Sequence, residues 1–191
     1  YYQNQLRQSK DKTQKILSQY AIALLLMEQK KYRQALVQSN ALILQDKSRI
    51  SFQILNAQIL FNVGKKEQAL SQLEELLKFN PDNHPLSMMY AELLAEGNQF
   101  HKAATELRRQ AQIRKTDPYV WQKLSEAEGK SGNTIALYQA RAEYLFLRGQ
   151  TDKALNQLKN ALEISQENYL VSARIEQRAR EISATKEEIK I

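Results

Sequence analysis

The chain has 191 residues, 26% of them charged and 42% hydrophobic, which sets wholesale disorder aside; its 5 glycines and 3 prolines are too few turn formers for a many-stranded β-sandwich or barrel. It has no cysteine, which excludes disulfide scaffolds, thiolate metal sites and cysteine nucleophiles. Lysine and arginine number 28 against 21 acids, a formal charge of +7, but the basic residues are spread along the chain.

From the start of the chain, Tyr1-Tyr2-Gln3-Asn4 carries neither an initiator methionine nor a charged-then-apolar leader, which reads as a piece of a longer protein with any targeting signal upstream. Arg7, Lys10, Lys12 and Lys15 follow without interleaved aromatics, the pattern of a solvated helix surface rather than a nucleic-acid stripe. The longest apolar run, Tyr20 to Met27, is short of the roughly 20 residues a membrane-spanning helix needs. Abundant alanine, leucine, glutamine, glutamate and lysine favour helix throughout. After an N-terminal segment, the patterning predicts helices near 13–29, 32–45, 48–63, 66–79, 85–97, 100–115, 118–131, 134–148, 151–165 and 168–184. Pro85 and Pro118 fall in first turns, where proline is tolerated, and Asp117 is an N-cap. Arg108, Arg109, Arg114 and Lys115 form the densest basic cluster, expected on a solvated surface near a helix C-terminus.

Internal repetition is the informative signal. Tyr32-Arg33-Gln34-Ala35-Leu36, Lys66-Glu67-Gln68-Ala69-Leu70 and Phe100-His101-Lys102-Ala103-Ala104 place alanines 34 residues apart; Thr151-Asp152-Lys153-Ala154-Leu155 follows after 51, one and a half periods. Twelve positions before each anchor stand Ala23, Ala57, Ala91 and Ala142, and nine before stand Leu26, Leu60, Leu94 and Leu145. Lys30, Gly64, Asn98 and Gly149 lie five before, at helix–helix turns. Ser39, Leu73, Leu107 and Leu158 lie four after, and Ser39 is small where a bulky residue is expected. Paired alanine columns let helices approach closely while the leucines fill between them. The half-period offset is accommodated if helix 134–148 serves as second member to 118–131 and first member to 151–165.

This pattern resembles the tetratricopeptide repeat: Trp121-x2-Leu124-Ser125 keeps its first part, with Glu128 in place of the aromatic, and Ala69-x3-Leu73 with Pro81 matches its second. The resemblance implies an all-α fold, an α-solenoid of antiparallel helix pairs in a right-handed superhelix with a C-terminal capping helix. Residues 1–12 are then an N-terminal helical segment or linker, 13–166 about four and a half repeats, and 167–191 the capping helix and tail. Arg174, Glu176, Arg178, Arg180 and Glu181 around Val171, Ile175 and Ile182 give that cap its polar face. Trp121, in the repeat's tryptophan column, is expected in the core. By the same resemblance Gln58, Phe61, Asn62, Met88, Glu92, Gln122, Glu126, Gln139 and Glu143 line a concave partner-binding groove, with Phe61 and Met88 at least partly exposed as apolar anchors. Glutamine and glutamate there argue against acidic chain ends as ligands.

No catalytic motif is present. The two histidines, His84 and His101, start neighbouring antiparallel helices, and no H-E-x-x-H exists, so no catalytic or metal residue is assigned. Glu74–Glu75 and Glu187–Glu188 point to different helix faces, and a Glu92–Glu96 pair is commonplace on an exposed helix.

The second half carries a narrower likeness. Asp117 to Gly129, Tyr138 to Leu145, Gly149 to Leu155 and Ala173-Arg174-Ile175-Glu176-Gln177-Arg178 resemble the C-terminal repeat region of bacterial periplasmic M48-family zinc metallopeptidases, the β-barrel assembly-enhancing group. That implies a non-enzymatic recognition arm in the periplasm, with zinc held in a catalytic domain outside this chain. The implied partners are protein or peptide clients, outer-membrane β-barrel proteins with their assembly machinery, and the protease domain. Nucleic acid and a membrane span are not expected. The alternative is a free-standing peptide-binding scaffold; an RNA-binding solenoid rests on net charge alone.

Overall fold

The computed structural model describes residues 11–188, with side chains through residue 185. Arg7, Lys10 and the segment before residue 11, together with the side chains of Glu187 and Glu188, lie outside the described residues. Among the described residues the chain forms ten helices and no strand: α1 (Lys12–Glu28), α2 (Tyr32–Gln45), α3 (Ile50–Val63), α4 (Lys66–Phe79), α5 (His84–Glu96), α6 (Phe100–Ile113), α7 (Pro118–Lys130), α8 (Thr134–Leu147), α9 (Thr151–Ser165) and α10 (Tyr169–Glu188). The fold is all-α, of the helix-pair solenoid class, and the predicted boundaries hold to within a few residues. The last helix runs past its predicted end at 184.

Two compact units divide the chain, residues 1–93 and 94–191. In the first, α2 packs on α1, α3 on α2 and α4 on α3. Ala23, Ala35, Leu42, Phe52, Leu55 and Ile59 form its core, with Tyr20, Leu26 and Leu36 packed against them. In the second, α7 packs on α6, α8 on α7, α9 on α8 and α10 on α9. Its core holds Ala142, Ala154, Leu158, Ala161, Ile175 and Ile182. Helix α8 therefore serves two hairpins, as the 51-residue interval requires.

The repeat columns have physical counterparts. All eight column alanines (23, 35, 57, 69, 91, 103, 142 and 154) are 0% exposed, so each admits a neighbouring helix where a larger side chain would collide. The turn column is left-handed throughout: Lys30, Gly64, Asn98 and Gly149 have φ of 58°, 99°, 60° and 73°. Gly132 (φ 83°) continues the 34-residue series beyond Asn98. At each turn a backbone N–H reaches back to the carbonyl five positions earlier in a helix-terminating loop. The acceptors are Leu26, Leu60, Leu94, Glu128 and Leu145, at 2.8, 3.0, 2.8, 3.0 and 2.9 Å.

Caps follow local chemistry. Asp117 Oδ1 accepts from Tyr119 N at 2.9 Å with Pro118 in the first turn, and Asn83 Oδ1 accepts from Leu86 N at 3.1 Å at the start of α5. Ser39, small in a bulky column, is 0% exposed; its Oγ accepts from Asn56 Nδ2 at 2.9 Å, and that amide also donates to Asn40 Oδ1 at 2.8 Å. A neutral hydrogen-bonded cluster thus fills the space a large apolar side chain would occupy.

Candidate functional site

Glu128 stands 34 residues after Leu94, in the same turn-terminating position as Leu26 and Leu60, yet it carries a carboxylate. Its side chain is 1% exposed. A buried carboxylate needs a partner, and α6 supplies one: Arg108 Nε donates to Glu128 Oε1 at 2.6 Å and Nη2 to Oε2 at 3.0 Å. This two-point fork is the strong form of the arginine–carboxylate pair.

A second pair has the same form. Arg178 on α10 donates through Nε and Nη2 to the two oxygens of Glu143 on α8, at 2.7 and 2.8 Å, and through Nη1 to Glu181 at 2.8 Å. Its guanidinium also lies 5.3 Å from the Phe146 ring centre. Hydrogen bonds to Glu143 and then Glu181 hold Arg178 above the ordinary arginine value, against the opposing effect of burial. Hydrogen bonds from Arg178 and then Gln177 hold Glu181 below the usual carboxylate range.

Both pairs face one cavity in the second unit, about 370 Å³ in volume. Leu124, Ala136, Ala140, Leu158 and Ile175 give it apolar walls, Trp121 closes one side, and Arg108, Glu128, Gln139, Glu143 and Arg178 supply its polar groups. The alanines on α8, one turn apart, leave the room. Trp121 is half-buried, with Nε1 donating to Lys115 O at 2.8 Å, so it is a cavity wall as much as a core residue.

The groove residues expected from sequence fall in several places. Gln139 and Glu143 meet at this cavity. Gln122 and Glu126 bond to each other on α7, Nε2 to Oε1 at 3.2 Å. On α3, Asn62 Nδ2 donates to Gln58 O at 2.8 Å. Asn62 also lines a shallow space of about 390 Å³ in the first unit, beside Lys30, Lys31 and Arg33. Glu92 is half-buried on α5.

The exposure expected of Phe61 and Met88 is corrected. Each is 6% exposed, and Lys66 Nζ sits 5.1 Å from the centre of the Phe61 ring. Half of the fourteen residues of α3 are buried, Leu60 and Phe61 side by side among them, so this helix has no wholly open face. Leu86, Ser87 and Met88 are likewise buried in succession on α5. Arg108 is exposed and Arg109 partly exposed, as expected of a solvated helix surface, but both are ion-paired, Arg109 with Glu106 at 2.7 Å and Arg108 with Glu128.

Sequence reasoning missed Arg108, Glu128 and Arg178 as parts of a site. The available signal was the glutamate interrupting a leucine column; its partner 20 positions away is fixed only by packing. Among the described residues no three histidine, cysteine or carboxylate side chains cluster to hold a metal ion, and no helix is long and apolar enough to cross a membrane.

Residues 60–127 match the family model described as tetratricopeptide repeat. Over 175 residues the chain is 28% identical to the Beta-barrel assembly-enhancing protease of Escherichia coli (strain K12), covering 91% of this chain and 35% of the relative; the Shigella flexneri protein of that name gives the same figures. The chain thus spans about a third of the length of the curated relatives it matches. Among solved structures, MamA from residue 41 to its end, from Desulfovibrio magneticus RS-1, superposes with a TM-score of 0.60 at 14% identity, over 90% of this chain and 96% of that one. A tetratricopeptide repeat protein from Parabacteroides merdae gives 0.57 at 16% identity, over 99% and 87%. At these identities the structures speak to the fold alone.

Proposed function

From the tetratricopeptide repeats that this chain carries, we propose that it is a protein-interaction module whose second-unit cavity receives an apolar side chain from an extended client. The observation that carries this reading is the cavity itself: apolar walls with room for one large side chain, and polar groups already fixed by two-point ion pairs. Such preorganised concave sites with few polar groups are where ligands bind, and fixing them before binding lowers the entropic cost of association. Of the repeats proposed over 13–166, helices α6 to α9 supply the frame, and α10, in the proposed 167–191 capping segment, supplies Arg178 and Ile175.

We further propose that the module is the recognition arm of a periplasmic zinc metallopeptidase acting in β-barrel assembly. The support is the alignment along 91% of this chain with a protease of that description. In this reading zinc and peptide cleavage belong to the part of the longer protein outside this span, and the clients are unfolded outer-membrane β-barrel proteins. Trp121, the only tryptophan, reports on the cavity. A tryptophan-free, urea-unfolded barrel protein diluted into the chain should change Trp121 emission saturably, while the same barrel folded in detergent should not. No change with the unfolded form would overturn the client assignment.

A free-standing scaffold is the second reading, with which the tetratricopeptide match over residues 60–127 is equally consistent. Immunoblotting of cells that make the natural protein separates the two. A band near 22.1 kDa supports the scaffold, and one roughly three times larger supports the protease arm.

A further inference from the structure

We propose that the second-unit cavity selects an internal peptide segment in which an apolar side chain is followed directly by an acidic one, the apolar group entering the cavity and the carboxylate binding Arg108 Nη1. This rests on the reading of the cavity as the client site and names the client's chemistry.

The four charged groups at the cavity cancel formally, but they are not equally presented. The side chains of Glu128 and Glu143 are 1% and 16% exposed, whereas those of Arg108 and Arg178 are 45% and 35% exposed. Both oxygens of each carboxylate are already engaged by its arginine. A guanidinium has five donors. Arg108 spends Nε and one N–H of Nη2 on Glu128, and its Nη1 group makes no hydrogen bond among the described residues. The paired charges therefore turn acceptors inward and donors outward. A cationic side chain arriving at the rim meets no unengaged carboxylate. An anionic one meets a guanidinium held at a fixed angle by its buried partner.

The position of these donors argues for a segment that passes across the cavity rather than one that ends in it. Arg108 comes from α6 and Arg178 from α10, so a chain crossing the opening finds donors from two helices. Glu143, one of the glutamates that weighed against acidic ligands in the sequence, is thus a group that fixes and aims an arginine.

The test uses eight-residue peptides, acetylated and amidated, in a Gly-Ser-Gly frame around the pairs Phe-Glu, Phe-Gln, Phe-Lys and Gly-Glu, titrated against Trp121 emission of the full chain. Phe-Glu should bind at least ten-fold tighter than Phe-Gln at low salt, with the gap closing as ionic strength rises; Phe-Lys should be weakest of the three. Gly-Glu should give no saturable change. Arg108→Lys, which keeps a charge but loses the fork, should erase most of the Phe-Glu preference while leaving Phe-Gln binding in place. The peptide series decides the question even where that variant folds poorly. Equal affinity for Phe-Glu and Phe-Gln, tighter binding of Phe-Lys, or tighter binding of a peptide ending in Phe with a free terminal carboxylate would each overturn the proposal while leaving the cavity as a client site. Absence of any Trp121 response, Phe-Gln included, would overturn the cavity reading as well.

Discussion

The two units handle a departure from the repeat in different ways. In the first, Ser39 interrupts a bulky column, and the gap closes on a neutral cluster with Asn56 and Asn40, all within hydrogen-bond distance. In the second, Glu128 interrupts the leucine column continued from Leu26, Leu60 and Leu94, and its charge brings in Arg108 across a helix interface. The first solution packs shut. The second stands beside a cavity, because α8 serves two hairpins and presents small residues, Ala136 and Ala140, where the pairing changes phase. A change of period thus does what a regular repeat does not: it leaves room and supplies charge at one place.

That contrast can be broken first in the apolar unit. Phe61→Ala removes a nearly buried ring from α3 and should cost about 3–5 kcal/mol in urea denaturation. A loss below about 1 kcal/mol would restore Phe61 as an open groove residue. In the charged unit, Arg108→Ala leaves Glu128 buried without its partner; the expected cost is about 2–4 kcal/mol, below the full penalty of a wholly buried pair because Arg108 is half open. Arg108→Met with Glu128→Leu restores the leucine column and should return stability to within about 1 kcal/mol of the parent. A double variant as unstable as Arg108→Ala would show that the pair, rather than the column, holds that region.

Smaller effects test the shared frame. Ala91→Leu, at 0% exposure in an alanine column, should cost about 1–3 kcal/mol by overpacking, with a substitution at exposed Gln112 as the silent control. The smallest effect is that of Lys30→Gly, which relieves a left-handed lysine at φ 58° where Gly64 stands in the next repeat; it should stabilise by up to about 1 kcal/mol. A destabilisation there would mean that the Lys30 side chain contributes more than its backbone costs.

Much of the fold was legible because helix pairing leaves a period in small residues. Eight alanines in two columns, and left-handed residues at the turns, mark where helices touch and where they end, and both are local consequences of the chain. The site was less legible, for two reasons. Its ion pairs join residues 20 and 35 positions apart, so neither partner betrays the other in sequence. Counting from the alanine column also gives the direction in which Phe61 points but not whether a neighbour covers that direction. The family resemblance placed Gln139 and Glu143 in a concave groove, while the pairing of Glu143 depends on Arg178 of the last helix reaching it.

If the cavity beside Trp121 is where this module engages its partner, filling it should weaken binding without unfolding the chain. Ala136→Leu adds bulk at a half-buried position of the cavity wall without touching either ion pair. Titrating the Phe-Glu peptide against this variant, beside its thermal unfolding curve, is the most direct test. Binding should weaken at least ten-fold with a melting temperature within about 3 °C of the parent, since a change of up to about 0.5 kcal/mol at a half-buried position moves it little. Undiminished binding in a fully folded variant would contradict the cavity reading.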